Sequence, residues 1–157
     1  MDTHRIVLTA EHAMHRNVFV LAPTMPVLDA VRDLLQRGYS GAPVVDNGRL
    51  VGVFSERDAL TALAAAHYED EPPGTVAQHM RRDFVVVGPG ADIYEVASVF
   101  REQPIRRIPV VDTARHLLGI VSRGDVLKLL QQLYRHRPKS NYEKLQDHMA
   151  QRLGASF

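Results

Sequence analysis

At 157 residues, the chain makes one compact unit, or two small ones sharing a core, and should bury roughly 68–70% of its unfolded surface. Apolar residues at 45% and charged residues at 24% are ordinary for a globular protein. A net charge of +1 is too small to argue for nucleic acid, and the lack of cysteine removes disulfides, thiolate zinc sites and Cys nucleophiles while suiting a reducing cytoplasm.

The first residues, Met1-Asp2-Thr3-His4-Arg5, have no apolar run behind a basic start, so a secretory signal is not expected. No stretch reaches the ~18 apolar residues that span a bilayer, so membrane insertion is not expected either. Thr9 and Thr75, the latter with capping-box spacing to Gln78, open short helices ending at Met14 and Met80. Val18–Leu21 and Phe84–Val87 are continuous apolar runs, which predict short strands buried on both faces. Pro26 and Asp92 begin amphipathic helices. Their stripes are Val27, Leu28, Val31, Leu34 and Leu35, then Ile93, Val96, Ala97, Val99 and Phe100; Gly38 and Pro104 stop them.

Strands follow near 42–46 and 49–54, joined by the hairpin turn Asp46-Asn47-Gly48, and again near 108–112 and 116–121. Closing helices start at Ser55 and Ser122. An acidic, proline-bearing linker is expected over 64–74. Beyond Pro138 a last helix starts at Ser140, with the stripe Tyr142, Leu145, Met149 and Leu153. Packing of that stripe on its own domain is the first reading, and a dimer contact the second.

The two series of elements are copies of one unit. Displaced by 66 residues, Thr9 falls on Thr75, Met14 on Met80, Arg16 on Arg82, Val20 on Val86 and Pro23 on Pro89. The same displacement lays Pro43-Val44-Val45-Asp46 over Pro109-Val110-Val111-Asp112. One extra residue near Arg115 makes the offset 67, after which Leu50, Gly52, Ser55, Asp58, Leu60 and Leu63 match Leu117, Gly119, Ser122, Asp125, Leu127 and Leu130. A period of this length makes each copy one structural unit. Boundaries of 9–66, 75–137 and a tail of 138–157 follow.

A repeated unit of this order resembles the CBS domain family. The residues that carry the likeness are Tyr39-Ser40-Gly41-Ala42-Pro43-Val44-Val45-Asp46 with Gly52-Val53-Phe54-Ser55-Glu56-Arg57-Asp58, and Ile105-Arg106-Arg107-Ile108-Pro109-Val110-Val111-Asp112 with Gly119-Ile120-Val121-Ser122-Arg123-Gly124-Asp125. The resemblance implies an α+β fold, and a stand-alone bacterial-type pair. Each repeat would supply a small three-stranded sheet carrying two helices, and the two would pack by pseudo-twofold symmetry into a Bateman module, with a C-terminal helix added. It also implies two clefts that take AMP, ADP, ATP or S-adenosylmethionine, a homodimer, a cytoplasmic location, and control of a partner on another polypeptide. No cofactor and no catalysis are expected.

Ser55-x-x-Asp58 and Ser122-x-x-Asp125 sit where a strand turns into a helix. Ser with a carboxylate at N3 is a sufficient helix start without any ligand, worth ~1 kcal/mol. The same geometry offers free N–H groups to phosphate and a carboxylate to vicinal hydroxyls. By resemblance, Asp125 and Ser122 share a cleft with Val18, Phe19, Tyr39, Ser40 and Ala42, where Tyr39 would stack on adenine; packing against the core is its other reading. Asp58 and Ser55 share the second cleft with Phe84, Val85, Ile105, Arg106 and Arg107. The arginine pair would meet phosphate there, or else lie solvated.

One position departs from the family, which often has threonine after the methionine of the first short helix. Here it is His15 or Arg81, each able to reach phosphate or to face water. His12 and His15, three apart, lack a third ligand at zinc spacing and read as surface histidines. P-loop, Rossmann and Ser-His patterns are missing. A ligand sensor therefore stands against a structural module with empty clefts.

Overall fold

The computed structural model describes residues 7–137 and 139–154, with side chains described to 151; the chain start, Pro138 and the Leu153 side chain lie outside. Two compact units divide after Val126. The first holds α1 (Ala10–Ala13), α2 (Val27–Arg37), β1 (Gly41–Asp46), β2 (Arg49–Ser55), α3 (Glu56–Glu69), α4 (Val76–His79), α5 (Ile93–Glu102), β3 (Arg107–Val111) and β4 (Leu117–Ser122). Helix α6 (Arg123–His136) begins in it and continues into the second, which also contains α7 (Asn141–Gly154).

Each repeat builds an antiparallel hairpin, β1–β2 or β3–β4. The register slips by one residue between Val44 and Val45, and at the equivalent place between Val110 and Val111. Asn47 and Gly48 take positive φ of 50° and 80°, as the tight turn between right-twisted strands requires. The longer second turn is closed by Asp112, whose Oδ1 accepts the N–H groups of Ala114 and His116.

The expected third strands are reduced to single parallel bridges, Leu21 to Val44 and Val87 to Val110. Leu21 N–H donates to the Pro43 carbonyl and its own carbonyl accepts from Val45, both at 2.9 Å. Burial on both faces does not hold: Leu21 is fully buried, but Val20 is 38% exposed and Val87 only half-buried. The helical stripes are also narrower than the spacing suggested. Val27 and Leu34 are buried, whereas Leu28 and Leu35 stand in solvent. Helix α3 runs on to Glu69, which shortens the linker expected over 64–74, because its Ala-rich stretch is a good helix former.

Each short leading helix docks on the other repeat. Ala10 N–H donates to the Ala91 carbonyl, and Ile93 N–H to Leu8; His15 bridges Ile120 on β4. At the equivalent positions with the repeats exchanged, Arg81 bridges Val53 on β2, and Val76 and Met80 join the core formed by Leu21, Val27, Leu34, Val44 and Phe54. Glycine makes this exchange of helices possible. A Cβ on Gly119 would lie 2.7 Å from the His15 carbonyl, and one on Gly52 would lie 2.5 Å from the Met80 sulfur. Backbone cannot yield as a thioether can, so Gly119→Ala is expected to cost ~2 kcal/mol and Gly52→Ala less. Urea midpoints of the two variants check the order.

In the second unit Ser140 caps α7, with Glu143 accepting its N–H at 2.7 Å. That bond, together with Arg137, holds the Glu143 carboxyl down to about 2. Of the tail stripe, Tyr142, Leu145 and Met149 are 68%, 55% and 53% exposed. A helix closed by its own cap and ion pairs can leave an apolar face uncovered.

Candidate functional site

The turns from β2 into α3 and from β4 into α6 have the same construction. Ser55 N–H and Oγ both donate to Asp58 Oδ2 at 2.9 Å, and Asp58 N–H returns to Ser55 Oγ at 3.3 Å. Ser122 N–H and Oγ donate to Asp125 Oδ2 at 2.8 Å, with Asp125 N–H on Ser122 Oγ at 3.1 Å. Each cap is thus satisfied through one carboxylate oxygen.

A group from the other repeat meets each acid. His15 Nε2 donates to Asp125 Oδ1 at 2.8 Å, and Arg81 Nε lies 3.9 Å from Asp58 Oδ2. The exchanged helices carry these two residues across the seam. Asp125 is 9% exposed. Burial pushes its carboxyl up, but the Ser122 N–H and hydroxyl, followed by His15, outweigh that and leave it below its ordinary value.

The aromatic residues form a chain. Phe19 and Tyr39 lie 5.8 Å apart between ring centres, tilted by 43°. The Arg37 guanidinium stands 4.3 Å over Phe19, and that of Arg107 stands 5.3 Å over Tyr39. Arg107, grouped with Asp58 in the sequence, therefore reaches the aromatic pair grouped with Asp125. The β3–β4 register explains the correction, since Arg107 is the cross-strand partner of Ser122 and leaves the strand beside the Asp125 cap.

Other candidates are placed less tellingly. The Ser40 carbonyl accepts from Glu56 N–H at 2.9 Å and the Arg106 carbonyl from Arg123 N–H at 3.3 Å, so each is tied to the closing helix of its own copy. Ala42 is buried in the core. Val18, Val85 and Ile105 are half-buried, and Phe84 lies under the Arg115 guanidinium at 5.7 Å. Nothing in the sequence points to Arg37 and Arg115, because no spacing rule links an arginine to a ring in another element. Two shallow depressions, one along α3 and the linker and one in the second unit, are not lined by either acid.

His12 and His15 turn to different partners. His12 Nδ1 accepts from Thr9 N–H at 3.1 Å, standing in for the glutamate of a capping box. Among the described residues no cluster of three His, Asp or Glu forms a metal site. No helix among them is long and apolar enough to cross a membrane.

The family model for the CBS domain matches residues 10–65 and, a second time, residues 76–132. The chain belongs to the CBS domain family. CBSX2 of Arabidopsis thaliana, solved in complex with AMP, is 30% identical over 80% of this chain and 98% of its own, with a TM-score of 0.70. Uncharacterized protein MJ1232 of Methanocaldococcus jannaschii is 30% identical over 115 residues, 73% of this chain. An A-adding tRNA nucleotidyltransferase of Aquifex aeolicus is also 30% identical, over 81% of it. This CBS pair spans only 37% and 15% of the length of those two proteins. The mixed α+β fold with paired small sheets is that of CBS-pair structures.

Proposed function

We propose that this CBS pair is a regulatory module that binds an adenosine nucleotide between its repeats and controls a partner protein through the angle between them. The observation that carries this reading is the duplicated strand-to-helix turn. Each turn joins a serine to a carboxylate that also meets a side chain from the other repeat, and Asp125 accepts from three donors. An ionised carboxylate accepts from vicinal ribose hydroxyls, and the adjoining helix start favours phosphate. The AMP bound by CBSX2 supports AMP as the first ligand to try; ADP, ATP and S-adenosylmethionine rest on the family resemblance. A ligand that prefers one arrangement of the repeats shifts the population toward it, and a partner can read that shift.

A second copy would pack on the faces of α2 and α5, where Leu28 and Tyr94, equivalent in the repeat, are 57% and 52% exposed. A face with internal twofold character suits an isologous dimer. The rival reading, a module with empty clefts, draws on the satisfaction of both acids by the protein's own side chains.

Calorimetry with AMP separates the two. Micromolar-range binding is expected, with ~2–3 kcal/mol of stabilisation at 100-fold excess over Kd. The double variant Asp58→Ala/Asp125→Ala should lose it. Equal affinity in that variant would dismiss the two acids as the site.

A further inference from the structure

The two exchanged helices are docked by one set of backbone bonds, used twice. In the first junction Ala10 N–H donates to the Ala91 carbonyl at 2.9 Å, Glu11 N–H to Pro89 at 3.0 Å and Ile93 N–H to Leu8 at 2.9 Å. In the second, Val76 N–H donates to Met25, Ala77 N–H to Pro23 and Val27 N–H to Gly74, each at 2.9 Å. Thr9 bridges Asp92 as Thr75 bridges Pro26.

The junctions differ in what accepts the N–H of the threonine at their centre. Thr75 N–H donates to the amide oxygen of Gln78 at 2.9 Å, a group that does not titrate. Thr9 N–H donates to Nδ1 of His12 at 3.1 Å, and the Thr9 hydroxyl lies 2.9 Å from the same atom. A backbone N–H can only donate, so Nδ1 carries a lone pair in the docked state and the ring hydrogen sits on Nε2. A proton on Nδ1 turns this acceptor into a donor, and Thr9 N–H then faces another donor. The exposed ring takes that proton more readily once the segment is released and can turn to water.

The charges around His12 are engaged elsewhere. Glu11 pairs with Arg16 at 3.0 Å. Beside the bridge, Asp92 accepts the Tyr94 N–H and Glu95 the Asp92 N–H, while Arg101 and Glu102 lie at the far end of α5. Strand β4 has no ionisable side chain, and Asp125 beyond it is met by His15. His15 acts in the opposite sense, since a protonated ring still donates to Asp125. In the second junction His79 donates from Nε2 to the Pro73 carbonyl at 2.7 Å, a bond that protonation keeps.

We propose that His12 makes the first junction a proton-sensitive latch between the repeats, closed while the imidazole is neutral and loosened when it is protonated, whereas Gln78 keeps the second junction closed throughout. The latch needs no ligand and stands apart from the nucleotide reading. The released segment binds the proton and the docked one does not. Docking is therefore complete above the usual imidazole range, about pH 6.5, and weakens as pH falls through it.

Amide hydrogen exchange followed by NMR on the whole chain, corrected for the intrinsic effect of pH, compares Ala10 and Ile93 with their counterparts Val76 and Val27. Loss of one cap predicts that protection of the first pair, relative to the second, falls about 5-fold between pH 7.5 and pH 5.5. In His12→Gln, which copies the second junction, the ratio should stay level; His15 is common to both proteins, so its effect cancels. A parent ratio that does not move, or one that falls as far in His12→Gln, overturns the latch. The ring nitrogen shifts of His12 give a check without substitution. They should report the tautomer with hydrogen on Nε2 at pH 7.5, and hydrogen on Nδ1 there would equally overturn it.

Discussion

Phe54→Ala is expected to lower the free energy of unfolding by about 3–5 kcal/mol, the largest effect of any single truncation in the first repeat. Phe54 is fully buried and is the largest such side chain. It stands on β2 opposite Ala42, in a cluster that draws Leu21, Val27, Leu34, Val44, Val76 and Met80 from two strands, a bridge segment and helices of both copies. None of these can collapse into the space without moving a backbone element, so most of the cavity would persist. Total stabilities of about 5–15 kcal/mol are usual for domains, which puts the variant near the edge of folding. Its equivalent Val121, also fully buried, fills the same position with a smaller side chain. Val121→Ala removes two methyl groups and should cost only about 1.5–2 kcal/mol. Urea unfolding of the two variants decides whether the repeats are energetically as unequal as their cores; equal losses would contradict this.

Asp125→Ala is expected to cost about 2–3 kcal/mol at neutral pH, from the lost helix cap and the lost contact with His15. The loss should depend on pH in a definite direction. Burial opposes ionisation of Asp125, but the donors from Ser122 and His15 prevail and depress its folded value below the ordinary 3.8. A depressed acid stabilises the fold fully above its unfolded value and ceases to do so as pH falls through its folded one. The difference in Tm between parent and variant should therefore be full at pH 7 and shrink below about pH 3.8. A gap that stays constant from pH 7 to pH 3 would mean that the carboxylate charge contributes nothing.

Order along the chain was legible because each element is encoded locally. Thr75 and Gln78, Ser55 and Asp58, Ser122 and Asp125, and Ser140 and Glu143 mark helix starts within four residues; the three serine caps close in both directions, while at Thr75 only the Gln78 side chain closes the box by accepting the Thr75 N–H. Asn47-Gly48 marks a turn that only positive φ allows. The duplication was legible because two copies of one pattern need no knowledge of folding to be compared.

Periodicity failed where burial depends on what lies opposite. Val18–Leu21 reads as a strand buried on both faces, yet it makes a single bridge, since the neighbouring hairpin offers it the edge of β1 at one residue. Leu28 and Leu35 belong to the apolar face by spacing and still face solvent, because spacing along a helix does not say how far a neighbouring element reaches across it.

The site shows the same division. Sequence alone determined that two serine–carboxylate turns exist, one in each copy, and that His15 and Arg81 hold corresponding places. Only the tertiary structure decided that the leading helices change partners, which carries His15 to Asp125 and Arg81 to Asp58. The register of β3 with β4 likewise brings Arg107 to Tyr39. Caps and turns are settled by groups a few residues apart, whereas these pairings join residues far apart in the chain and come into being only when the two sheets have met.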